Sequence, residues 1–192
     1  MVEPSLITYV FQAIQLGQAT LDSTRESLRD ALRHDGHSGA LVGVSGGGTV
    51  DASLEKLAEA LGEELARRGA VVITGGLGGV MNAASRGAKR IGGTTIGLLP
   101  GADPSVANEH VDHPIATGWQ EGRNFLLSYL SDGLIAIDGE YGTLSEVALA
   151  RKLGRPVVGL RLRDWRLPDL ADVDDPGSAV ERLWAELEVI IG

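Results

Sequence analysis

The sequence predicts a three-layer, Rossmann-like α/β domain with a mostly parallel sheet covered by helices on both faces. Three observations lead there. From residue 40 onward, short runs of Val, Ile, Leu and Ala alternate with segments of helical periodicity. The runs are apolar at nearly every position instead of every second one, as in strands buried on both faces. Three of them end in glycine-rich turns that lead into helices.

Residues 1–38 read as an N-terminal extension with weak periodicity, a short helix near residues 23–32 and a soft spot at 34–39. Residues 39–192 read as one Rossmann-like nucleotide-binding domain. Residues 40–44 (ALVGV) form its first strand and 45–48 a turn. Leu54, Leu57, Ala58, Leu61 and Leu65 recur at helical spacing, and Gly69 ends that helix. A second strand at 70–74 (AVVIT) and a turn at 75–79 precede a helix of small residues at 80–91, closed by Gly92 and Gly93. Residues 94–99 (TTIGLL) form a third strand. Residues 102–118 are polar and irregular, with a short strand at 113–116. A helix at 119–131, a strand at 133–137 (GLIAI), a turn at 139–142 and a helix at 143–153 follow. The chain closes with a strand at 156–160 (PVVGL), a loop at 163–177 and a helix at 178–190.

A chain of 192 residues is long enough to bury a real core in one domain. Aromatic residues make up only 4%, so the core is aliphatic. Lys and Arg number 17 against 26 Asp and Glu, a net charge of −9. That balance argues against nucleic acid as a partner, while leaving room for one local cationic pocket. No cysteine is present, so disulfides, thiolate catalysis and Cys-based metal sites are excluded. No apolar run has the length of a membrane span, and the first residues lack the pattern of a secretory signal. The expectation is a cytoplasmic protein away from membranes.

In a parallel sheet, ligands gather at the carboxyl ends of the strands. The glycine turns after Val44, Thr74 and Ile137 all fall there, each feeding a helix N-terminus that attracts anions. A P-loop is absent, since RGAKR at 86–90 lies inside a helix. The first turn, SGGGTV, is not the dinucleotide fingerprint, and the second strand lacks the acid that reads a ribose. Residues 43–47 match GxSxG, which would pair Ser45 with Asp103 or Asp112 and with His110 or His113 as a hydrolase triad. A hydroxyl lining a phosphate turn is the favoured reading of Ser45. His110, Asp112 and His113 read as loop residues; neither a metal nor a resident cofactor is expected.

Residues 75–81 (GGLGGVM) and 139–146 (GEYGTLSE) resemble the paired motifs GGGxxGxM and PGGxGTxxE of the LONELY GUY family. That family, long misnamed lysine decarboxylases, sits in a wider group of nucleotide-binding Rossmann proteins. The group includes molybdenum cofactor carrier proteins and distant DNA-processing proteins. The resemblance covers about residues 40–160. RGAKRIGGTTIGLLPG and TGWQEGRN (117–124) are especially similar to the carrier branch.

The resemblance implies catalytic Arg123 and Glu146, and a phosphate or nucleotide site at Ser45, Gly46, Gly75, Gly76, Gly78, Gly79, Met81, Asn124, Gly139, Tyr141, Gly142 and Thr143. The family's phosphoribohydrolases cleave the N-glycosidic bond of a nucleoside 5′-monophosphate, releasing base and ribose 5-phosphate. A carboxylate suits that chemistry by stabilising an oxocarbenium-like state or activating water. An always-charged arginine suits a phosphate or a leaving base. Thr143 and Glu146 also have the spacing of a helix capping box. The sequence departs from the enzyme pattern: Asp138 stands for the motif proline, Glu140 for a glycine and Asn124 for a lysine, and the first glycine turn is one residue shorter.

Three functions stay open. They are hydrolysis of a nucleoside 5′-monophosphate, non-catalytic carriage or sensing of a phosphorylated ligand such as molybdenum cofactor or a signalling nucleotide, and an oligomeric scaffold with a vestigial site. Family members assemble, and residues 123–130 carry Phe125, Leu126, Leu127, Tyr129 and Leu130 on more than one helical face. A homodimer or homotetramer is therefore expected.

Overall fold

The computed structural model describes residues 20–34, 36–37, 39–163 and 165–191. The first half of the segment read as an extension, residues 1–19, lies outside the described residues, and with it the stretch that bears on a secretory signal. Strands β1 (Leu41–Gly46), β2 (Val71–Thr74), β3 (Thr95–Leu99), β4 (His113–Ala116), β5 (Gly133–Ile137), β6 (Val157–Leu160) and β7 (Ala171–Val173) form one sheet in the order β4-β3-β2-β1-β5-β6-β7. Every pairing in it is parallel. The helices among the described residues are α1 (Leu21–His34), α2 (Ala52–Arg67), α3 (Val80–Arg90), α4 (Arg123–Leu130), α5 (Tyr141–Lys152) and α6 (Pro176–Ile191). Single 3-10 turns stand at Pro104–Val106 and Gln120–Gly122.

Side-chain alternation along the strands divides the core in two. On one face Val42, Val44, Val72, Ile135 and Ile137 pack beneath α2, α3 and α6. On the other, Leu41, Ile73, Ile96, Leu134 and Ala136 pack beneath α1, α4 and α5. Gly62 on α2 and Gly87 on α3 let those helices touch backbone to backbone: a Cβ at Gly87 would overlap the Glu59 carbonyl, and one at Gly62 the Ala84 carbonyl.

The structure redraws several boundaries read from the sequence. β1 runs on to Gly46, so Ser45 and Gly46 end a strand instead of opening a turn. α5 begins at Tyr141, two residues before Thr143, and shortens the preceding turn. The segment 163–177, read as a loop, contains the edge strand β7. Within the segment read as an extension, α1 buries Leu28, Ala31 and Leu32 in the second core. Arg25 and Arg29 of α1 pair with Asp132, whose second oxygen accepts the Leu41 N–H at 2.8 Å. Leu126, Leu127 and Leu130 of α4 are buried in that core as well, while Phe125 and Tyr129 stay half-buried with ring centroids 5.7 Å apart.

Candidate functional site

The chain leaves β1 toward β2, β3 and β4 on one side and returns to place β5, β6 and β7 on the other. The turns after β1 and β5 therefore diverge and open a crevice at the switch point. A cavity of about 610 Å³ occupies it. Its floor is the end of β1, with Ser45 and Gly46 beside Gly75 from the turn after β2 and Met81 from the first turn of α3. One wall is the start of α4, with Arg123 and Asn124, and another is Gly139 of the second glycine turn with Gly142, Thr143 and Glu146 of α5.

Four residues expected at the site lie outside this lining. Gly76 is buried, donates its N–H to the Thr74 hydroxyl at 3.0 Å and accepts from Asn108 N at 2.9 Å. Gly78 and Gly79 face the first turn: a Cβ on Gly79, whose φ is +60°, would overlap the Gly47 carbonyl. Tyr141 is 87% exposed beside the cavity.

The helix N-termini around the crevice differ. That of α2 is capped by Asp51, which accepts from Ser53 N and Leu54 N at 2.9 Å each. Those of α3, led by Gly79, and α5, led by Glu140, have no side-chain cap. The leading N–H of α3, on Val80, donates to the Gly47 carbonyl at 3.0 Å, so the N-terminus of α5 is the one that suits an anion best.

Glu146 sits inside α5, six residues beyond the cap at Glu140, so it is not the distal member of a capping box with Thr143. The residue is 5% exposed, and its carboxylate accepts a hydrogen bond from the Ser45 hydroxyl. Its other oxygen lies 3.5 Å from Arg123 Nη1. Burial pushes the Glu146 carboxyl above the usual carboxylate range; the Ser45 hydroxyl and Arg123 pull it back, and Glu121 adds a smaller upward push. Arg123 lies over Gly75, where any Cβ would overlap the guanidinium, and its buried Nε has no hydrogen-bond partner. Asn124 bridges the walls by donating to Ser145 Oγ at 2.9 Å, and leaves its buried Oδ1 without a partner.

Sequence reasoning missed Asp51, Glu121 and Arg163, which also line the cavity. Arg163 lies 3.1 Å from Asp51 and 3.8 Å from Asp138, so the carboxylate that replaces the motif proline faces a cation. Trp165, two residues on, donates its indole N–H to the Gly139 carbonyl at 2.8 Å and ties the same segment to the second glycine turn. The signal for Arg163 was its place just past the carboxyl end of β6, where ligand-facing residues of such sheets collect.

The hydrolase triad does not assemble. Ser45 is spent on Glu146, and β2 and β3 separate β1 from His113 on β4. Asp112 accepts from Thr95 N at 3.0 Å and pairs with Lys89, and Asp103 caps a 3-10 turn. Among the described residues no group of three or more His, Asp or Glu is placed to hold a metal, and no helix is long and apolar enough to cross a membrane.

The sequence profile of the SLOG cluster4 family matches residues 39–181. An uncharacterised protein of Archaeoglobus fulgidus is 42% identical over 120 residues, covering 62% of this chain and 79% of that protein. The solved molybdenum cofactor binding protein of Rippkaea orientalis superposes with a TM-score of 0.70 at 35% identity, over 80% of this chain and 98% of its own. The molybdenum cofactor carrier protein of Chlamydomonas reinhardtii gives a TM-score of 0.69 at 32% identity, over 79% of this chain and 99% of its own.

Proposed function

The chain belongs to the SLOG cluster4 family, and from that premise we propose that it binds and carries a small phosphorylated ligand, either molybdenum cofactor or a nucleotide. The observation that carries this reading is the convergence of Arg123 and the uncapped N-terminus of α5, with Gly142 and Thr143, on one cavity. Backbone N–H groups at the start of α5 supply neutral donors, and the guanidinium supplies the charge. The two solved relatives named for molybdenum cofactor support a pterin-bearing phosphate monoester as cargo. The protein works in the cytoplasm as a homodimer or homotetramer, with Phe125 of α4 at a contact; light scattering of the full chain checks the assembly.

The test is ligand capture. Protein purified without denaturation is extracted, and the extract is analysed by mass spectrometry for phosphorylated pterins and nucleotides. Inorganic phosphate and AMP raise the melting temperature of the wild-type chain, and Arg123→Ala lowers affinity for both about tenfold or more. Absence of any phosphorylated molecule, together with no thermal shift from either probe, would sink the reading.

A second reading, N-glycosidic hydrolysis of a nucleoside 5′-monophosphate, is favoured by one observation: the buried Glu146 beside Arg123 and Ser45. A carboxylate so placed can meet an oxocarbenium-like carbon while Arg123 holds phosphate. Chromatography for free base after incubation with AMP, GMP and CMP decides it. No base from any of them at high protein concentration removes hydrolysis and leaves carriage.

A further inference from the structure

Among the described residues lining the cavity, only Arg123 and Arg163 are cationic, against Asp51, Glu121, Asp138, Glu140 and Glu146. Arg163 stands at the mouth, 47% exposed, held between Asp51 and Asp138. Arg123, on the α4 wall above Gly75, is the inner cation, 14% exposed, and it already faces Glu146. A phosphate that passes the mouth therefore meets a guanidinium with a buried carboxylate beside it. Two anions on one guanidinium, away from water, repel each other, and a proton on one of them relieves the repulsion.

We propose that Glu146 is a proton-carrying ligand contact: a phosphate binds Arg123 together with one proton from solvent, which settles on the Glu146 carboxyl and makes it a hydrogen-bond donor to the ligand. The inference rests on the reading that this cavity takes a phosphorylated ligand, and it names what the phosphate needs there. The geometry prepares the step. Ser45, at the end of β1, donates to one Glu146 oxygen and leaves the oxygen nearer Arg123 to carry the proton. The charged groups facing Glu146 are Arg123 from α4, which opposes protonation, and Glu121 from the preceding 3-10 turn, which favours it. From the β5–α5 turn, Asp138 and Glu140 line the same cavity, and Asp138 is matched by Arg163. Burial already moves Glu146 toward its neutral form, so a neighbouring phosphate acts in the same direction.

The consequence is a phosphate site whose affinity falls with rising pH. Between the titration of the free protein and that of the complex, affinity drops about tenfold per pH unit, the slope of a single linked proton. Titration calorimetry with AMP on the full chain, from about pH 6 to about pH 9 in buffers of different ionisation enthalpy, measures protons taken up per ligand bound. In the wild type the uptake reaches about one proton beyond that of AMP's own phosphate, whose second pKa is about 6. Glu146→Gln keeps the shape and the oxygen that accepts from Ser45, and loses that excess uptake. Ser45→Ala removes a donor to the carboxylate and moves the onset of uptake to higher pH, while Ser45→Thr restores it. Equal uptake in wild type and Glu146→Gln at every pH overturns the inference and leaves phosphate binding standing. Failure of AMP and inorganic phosphate to bind the wild type at any pH overturns the binding reading, and this inference with it.

Discussion

Asp132 and Glu146 are both buried carboxylates, each 5% exposed, at opposite ends of the same strand. Asp132 immediately precedes β5, and Glu146 sits over the carboxyl end of the sheet beside Ser45. Asp132 is saturated: Arg25 and Arg29 share one oxygen, and Leu41 N–H takes the other. Its own N–H donates to the Leu41 carbonyl at 2.7 Å. Glu146 has one hydroxyl donor and one arginine at 3.5 Å, and it opens on a cavity. Equal burial thus accompanies unequal satisfaction. A saturated carboxylate holds parts of the fold together, while an under-satisfied one has hydrogen-bonding capacity left for a ligand.

The largest expected effect strikes the saturated member. Asp132→Ala strands two guanidiniums and the N–H that opens β1. Breaking a buried pair by removing one partner costs about 3–5 kcal/mol. The side chains of Arg25 and Arg29 are 24% and 28% exposed, so water recovers part of that loss and the lower end, about 3 kcal/mol, is expected. Denaturant unfolding measures it. A loss below about 1 kcal/mol would place Asp132 among ordinary surface ion pairs and erase the contrast.

This contrast was only half legible in the sequence. β1, β2, β3, β5 and β6 announced themselves because strands buried on both faces need continuous apolar runs. β7 did not, because an edge strand of three half-exposed or exposed residues around Asp172 has no such run. The glycine turns were legible from their places at strand ends, and Arg123 and Glu146 came only through the family resemblance. The start of α5 was misplaced because Thr143 has the look of a cap, whereas the true cap, Glu140, makes no side-chain bond. The ties of α1 to the core were hidden for a different reason. Arg25 and Arg29 meet Asp132 across 107 and 103 positions, and α1 precedes the segment matched by the family profile. Arg163 bonds to Asp51 from 112 positions away and carries no local pattern.

Glu146→Gln is expected to have a smaller and pH-dependent effect on stability. The folded-state carboxyl is raised above its ordinary value of 4.5 by burial. The unfolded chain therefore releases its proton first as pH rises. Glu146 contributes its full stability below pH 4.5 and loses it as pH climbs through the raised folded value. Replacement by Gln removes that loss, so the variant gains on the wild type as pH rises from about 4.5 toward neutrality. Melting curves across that range check the sign. A variant whose deficit grows with pH would mean that Arg123 outweighs burial, making Glu146 a structural ion pair of the Asp132 kind.

Arg163→Ala has the smallest expected effect on the fold and the most discriminating effect on the site. Its side chain is 47% exposed, so its ion pairs are screened and the stability change stays within about 1 kcal/mol. Removal leaves Asp138, with its buried Oδ1 unpartnered, facing the cavity without a matching cation. Affinity for AMP should then fall about threefold to tenfold, most steeply at low ionic strength. Arg163→Ala combined with Asp138→Asn separates two causes. Asp138 has φ +45°, a conformation that Asn adopts readily, so the second change adds no backbone strain. If Arg163 serves by neutralising Asp138, the double variant recovers wild-type affinity. If the loss persists with Asp138 neutral, Arg163 touches the phosphate itself, and the under-satisfied end of the sheet holds two ligand-binding cations in place of one.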